Sequence, residues 1–153
     1  MPNFISEDQL EKAAVNLLQE KFGYRSVHCF TRDMDDLSDG SHRASKEEVV
    51  FTGILKEQTE KINPHIPPET ISQALHLFTA RRAAMSPLLA NKEVYNQIRD
   101  GIAVEFENKA GKTEHERVRL IDFNAPAHND FLAVTQLWIK GERYPRRPDI
   151  IIY

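Results

Sequence analysis

The chain has 153 residues, 41% of them hydrophobic and 28% charged, and carries a net charge of −3 at pH 7. That length suits one domain burying about two thirds of the surface its unfolded form exposes. The composition is that of a soluble globular protein, and no apolar run approaches the roughly 20 residues of a membrane helix. A mildly acidic chain has no overall field that attracts nucleic acid, so any DNA contact must come from local clusters.

The opening Met1-Pro2-Asn3-Phe4 has neither a basic start nor the apolar run and cleavage site of a secretory signal. Ser6 then reads as the N-cap of a first helix, with Gln9 closing a capping box and Ile5 placed to staple onto Leu10. Leu10, Ala13, Ala14, Leu17 and Leu18 form one expected buried stripe, and Gly23 ends the helix. Glu11 falls at the border of that stripe, about 100° around the axis from Leu10. Its simplest role is that of a boundary glutamate pairing with Lys12, Lys21 or water.

Residues 23–45 read as a polar, flexible surface loop. Asp33-Met34-Asp35-Asp36-Leu37-Ser38-Asp39-Gly40 has the acidity of a calcium loop, but Leu37 and Lys46 stand where ligands are required. Cys29 is the only cysteine, which excludes an intramolecular disulfide and suits a reducing cytoplasm. Its expected role is that of a small hydrophobe packed inside.

A second helix is expected over Lys46–Lys61, stopped by Asn63-Pro64. A third starts at Pro67-Pro68 and carries Ile71, Ala74, Leu75 and Phe78; a fourth follows Pro87 and ends at Gly101. There the apolar period changes from 3.6 to 2. Ile102, Val104 and Phe106 pair in a hairpin with Val118 and Leu120 across a turn at Ala110-Gly111, with Glu105 expected opposite Arg117 and Val104 opposite Val118. A second strand pair runs from Asn129 to Lys140 and from Asp149 to Tyr153. Strands apolar on both faces belong inside a sheet covered by helices, and an apolar last strand leaves an edge that proteins normally cover. The ending therefore reads as a cut. The layout is α+β, with a helical part over about 6–100 and a β part over about 101–153.

Between the last two strands lie Lys140, Arg143, Arg146 and Arg147 against one Glu142, a basic turn that ends in Pro148-Asp149; Arg81-Arg82 is a lesser basic pair. Pro148 favours an extended entry, and a strand holds a side chain more rigidly than a loop does. A carboxylate so placed suits Mg²⁺, which takes oxygen ligands, keeps several waters and uses only one or two carboxylates. Pro-Asp alone is weak, since most such pairs are turns. The six histidines show neither H-x-x-x-H nor H-E-x-x-H spacing, no cysteine completes a zinc motif, and Gly-x-Ser-x-Gly is missing.

Several pieces together carry a resemblance: Phe4-Ile5-Ser6-Glu7 with the first helix to Phe22-Gly23-Tyr24; Ile62-Asn63-Pro64; Asn91 leading to Tyr95 and Gly101-Ile102-Ala103-Val104; and Asn129-Asp130-Phe131-Leu132-Ala133-Val134-Thr135-Gln136 with Arg147-Pro148-Asp149-Ile150. Over nearly its whole length the chain resembles the N-terminal region of the R subunit of type I restriction enzymes (HsdR), in the PD-(D/E)xK nuclease superfamily. The resemblance implies a restriction-endonuclease-like fold, a mixed or antiparallel sheet flanked by helices, truncated before its last core strands. It implies Mg²⁺-dependent cleavage of double-stranded DNA in a cytoplasmic, ATP-dependent complex with methyltransferase and specificity subunits.

On that resemblance Asp149 matches the metal-binding aspartate and Glu11 an acidic residue of the first helix, while Lys140, Arg143, Arg146 and Arg147 approach DNA. The family's Glu-x-Lys strand, its Gln-x-x-x-Tyr element and its ATP site do not follow within this sequence, so residues 1–153, an incomplete N-terminal endonuclease domain, are expected to be inactive alone. The alternative is a non-catalytic module that docks onto DNA or a methyltransferase.

Overall fold

The computed structural model describes residues 5–141 and 143–153; Met1-Pro2-Asn3-Phe4 and Glu142, used above, lie outside them. The chain forms two compact units, one from Met1–Phe51 with Asp130–Tyr153 and one from Thr52–Asn129.

In the first unit, helix α1 (Glu7–Phe22) begins at the expected capping box, with both Ser6 and Gln9 bonds made, and ends on Gly23 at φ 70°. Its rotation differs from expectation. Leu10 and Leu17 are 59% and 52% exposed, whereas Glu11, Ala14, Val15 and Leu18 are half-buried. Of the expected stripe, Ala14 and Leu18 thus stay on the inner face while Leu10, Ala13 and Leu17 turn outward. Polar anchors oppose it: the Gln19 amide donates to Ser26 Oγ at 2.8 Å, and Glu11 accepts a bond from Gln136.

Strand β1 (Arg25–His28) follows at once, where a loop was expected. It pairs in parallel with β4 (Leu132–Thr135), which pairs antiparallel with β7 (Ile150–Ile152). The order β1-β4-β7 makes this a mixed sheet, and all four residues of β4 are buried, as the central place of a doubly apolar strand requires. The single long strand expected over Asn129–Lys140 is interrupted. Gln136 adopts φ 56°, and only beyond it does the short ribbon of β5 (Ile139–Lys140) and β6 (Pro145–Arg146) form. A left-handed glutamine has no sequence signal.

Residues 29–46 also differ from a flexible surface loop. Asp39, Ser41, Arg43 and Lys46 are buried. Asp39 Oδ2 accepts from Lys46 Nζ at 2.8 Å and from Arg43 Nη2 at 3.1 Å, and Arg43 also donates to the carbonyls of Glu48 and Trp138. Burial by itself pushes the Asp39 carboxyl up, but hydrogen bonds from Lys46, Ser41 and Arg43 outweigh it and hold the group well below the ordinary carboxylate range. Cys29 lies beside this cluster, fully buried as expected; burial first, and Asp39 second, push its thiol up to about 11.

The second unit holds α2 (Thr52–Ile62), α3 (Pro68–Thr79), α4 (Pro87–Asp100) and the hairpin of β2 (Ile102–Glu107) and β3 (Thr113–Val118). Helix α2 starts at Thr52 rather than Lys46, because Lys46 is committed to Asp39 and Phe51 is buried against Tyr153, ring centroids 4.5 Å apart. Its stop is as expected. Asn63, fully buried, donates to the carbonyls of Thr59 and Arg119 and accepts from the Arg119 amide.

Ile71, Ala74 and Leu75 of α3 meet Ile66, Ile102 and Val118 in the core, with Phe78, Val104 and Phe106 packed around them. Each fully buried Ile or Leu contributes about 1.5–3 kcal/mol. Gly101 is required where it stands: at φ 80°, a Cβ would lie 3.0 Å from Val118 O.

The hairpin register is offset from expectation. Ile102 faces Val118, Val104 faces Glu116 and Glu105 faces His115. The reason is the turn. Asn108 accepts from Gly111 N and donates to Lys112 O, which centres a three-residue loop on Ala110 with Gly111 at φ 73°, whereas the expected pairing centres on Gly111. Glu105 therefore meets His115 at 3.5 Å, and Arg117 donates instead to Gly101 O.

Candidate functional site

The first unit brings Glu11 and Asp149 to one place from opposite ends of the chain. The capping box fixes where α1 starts, so Glu11 is set on the second turn, on the half-buried face. Asp149 precedes β7 as an exposed residue behind half-buried Pro148. Gln136, just after β4, continues the β4–β7 ladder by one step, its backbone N–H donating to Asp149 O at 3.1 Å. Its side-chain Nε2 donates to Asp149 Oδ1 at 3.3 Å and also to Glu11 Oε2.

One amide thus touches both carboxylates. Among the described residues neither Glu11 nor Asp149 forms an ion pair with Lys, Arg or His; the pairing of Glu11 with Lys12 or Lys21 is not made. Gln136 is the site residue that sequence reasoning missed. The sequence shows it only inside the strand expected over Asn129–Lys140 and as the last residue of the Asn129–Gln136 stretch that carries the resemblance, and nothing in the pattern marks its left-handed backbone.

Beside Glu11 lies a groove of about 260 Å³ whose walls include Val15, Asn16, Val27, His28 and Thr135. His28 Nδ1 lies 2.7 Å from Thr135 Oγ1, on neighbouring strands. Among the described residues no three or more His, Cys, Asp or Glu side chains converge as a complete metal cage. Two carboxylates with no internal cation do fit Mg²⁺, which needs no more than that from a protein when water and phosphate complete its shell.

The cations of the basic turn differ in their neighbours. Arg147 is exposed, with its guanidinium carbon 5.1 Å from the ring centroids of both Phe30 and Trp138. Arg146 leans on exposed Tyr144 at 4.6 Å and donates to its hydroxyl at 2.6 Å. Lys140 Nζ stands 4.0 Å from Asp35, and Arg143 is exposed. All four basic residues are exposed, and Arg147 is the one that also lies over rings outside the turn.

Residues 4–153 match the family described as the type I restriction enzyme R protein N terminus. The chain is 30% identical over 150 residues to the type I restriction enzyme HindI endonuclease subunit of Haemophilus influenzae, covering 96% of this chain and 14% of that protein. The chain therefore spans about a seventh of the length of the curated relative it matches. No solved structure matches it significantly. Among the described residues no helix is long and apolar enough to cross a membrane.

Proposed function

The chain belongs to the type I restriction enzyme R protein N-terminal family, and from that membership we propose that it is the nuclease part of a restriction subunit cutting double-stranded DNA with Mg²⁺. The observation that carries this is the shared amide: Gln136 ties Glu11 to Asp149, so two carboxylates that the sequence sets far apart, one half-buried and one exposed, stand at one place.

Asp149 would supply one oxygen ligand to the cation and Glu11 a second. A bound divalent cation activates water and neutralises charge on the leaving oxygen of a phosphodiester. The protein's own groups do the positioning. Lys140, Arg143 and Arg146 approach phosphates and hold the duplex without reading its sequence, which suits a complex whose specificity resides in another subunit. Arg147, held between Phe30 and Trp138, keeps the turn rigid so that Asp149 is presented in one place. ATP use and docking onto methyltransferase and specificity subunits belong to the complete R protein.

The test is cleavage of duplex DNA by the complete R protein in its complex, with Asp149→Ala against the parent at the same Mg²⁺ concentration. Loss of cleavage with DNA binding retained is expected. Normal cleavage by the variant would remove the metal assignment and leave a binding module.

A further inference from the structure

The metal-site proposal takes its oxygen ligands from two carboxylates and uses Gln136 only as the mark of their closeness, yet three observations converge on this residue. Its backbone sits at φ 56°, a conformation that non-glycine residues hold only when their surroundings enforce it. Its backbone N–H is bonded to Asp149 O at 3.1 Å. Its side-chain nitrogen donates to Glu11 Oε2 and to Asp149 Oδ1. The orientation of the amide follows from chemistry, because ionised carboxylate oxygens only accept and the NH₂ group must face them.

Two carboxylates gathered at one point repel each other. A lysine or arginine there would relieve the repulsion, but it would also supply the counter-charge and compete with a cation. A primary amide offers two hydrogens and no net charge, so it serves both acceptors and leaves the site negative. The left-handed turn at Gln136 ends β4 and sends this side chain to Glu11 and Asp149 together. We propose that Gln136 is a positioning residue that holds Glu11 and Asp149 as one divalent-cation site before the cation arrives. This rests on the metal-site reading and adds to it the group that assembles the site.

The experiment is a Mn²⁺ titration of the full chain, followed by the electron paramagnetic resonance of free Mn²⁺ and by thermal melting, with parent, Gln136→Gly, Gln136→Asn and Asp149→Asn. Glycine accepts φ 56° without strain, so Gln136→Gly should melt no lower than the parent while binding Mn²⁺ about tenfold or more weakly, the scale on which groups supporting metal ligands act. Asparagine also tolerates this backbone but is one methylene shorter, and should weaken binding similarly. In the parent, the side-chain NH₂ resonances of Gln136 should be among the first that Mn²⁺ broadens.

Parent-like affinity in both Gln136 variants, with binding lost in Asp149→Asn, would overturn the role of Gln136 and spare the metal site. A lower melting temperature for Gln136→Gly would make the residue structural and overturn the inference too. No Mn²⁺ binding by the parent, or undiminished binding by Asp149→Asn, would sink both.

Discussion

Asp39 and Asp149 lie in the same compact unit, and each anchors a small polar assembly, but the two assemblies handle charge in opposite ways. Asp39 is buried, and two cations from its own segment, Arg43 and Lys46, close on the same oxygen. Asp149 is exposed and shares with Glu11 a single uncharged amide. In the first the fold supplies the counter-charge, as a buried ion must have it. In the second the counter-charge is left for something from outside. A carboxylate's environment separates scaffold from candidate site better than acidity in the sequence does: the Asp-rich run ending at Asp39 looks like a cation loop, and its buried aspartate is already neutralised.

Removing each carboxylate is the strongest way to break this contrast. Asp149→Asn should reduce DNA cleavage by the complete R protein at least about a hundredfold, since a bound cation contributes several kcal/mol to the transition state. Its melting free energy should move by less than about 0.5 kcal/mol, as for other surface changes. Asp39→Asn should do the reverse, costing about 3–5 kcal/mol of stability because Arg43 and Lys46 are left buried without their partner. Denaturant unfolding and a cleavage assay on both variants check the pair; equal effects would erase the distinction.

Acid sharpens it further. Asp39 takes up its proton less readily folded than unfolded, so the stability it contributes is complete above the ordinary value of 3.8 and drains away as pH falls below that through the lower folded value. Urea unfolding between about pH 6 and pH 2 should therefore show a loss in the parent that is smaller in Asp39→Asn. An identical slope in both would remove the ion cluster from the acid response.

The smallest expected effects separate the arginines of the basic turn. Arg146→Gln should lower the slope of log binding constant against log salt for duplex DNA by about 0.9, the share of one phosphate contact. Arg147→Gln should cost about 0.5–1 kcal/mol of stability through its lost contacts with Phe30 and Trp138. Salt titrations and melting curves that exchanged these outcomes would reverse the roles.

Local physics made part of the molecule legible in advance. Ser6 and Gln9 mark a helix start by matching donor to acceptor within three residues, Asn63-Pro64 and Gly101 mark stops, and the change of apolar period after Gly101 marks the hairpin. Pro148-Asp149 leading into three isoleucines marks a carboxylate at a strand start. Each of these signals involves neighbours along the chain. The tertiary structure decided what depends on distant partners: the rotation of α1, which turns Leu10 and Leu17 outward and Glu11 inward; the burial of Lys46, which delays α2; the three-residue turn that sets the register of β2 and β3; and the left-handed Gln136, which cuts a strand that apolar pattern alone continues. Hydrophobic periodicity states that a face is buried but not against what. Only packing brings Glu11 to Asp149 and places an uncharged amide rather than a cation between them.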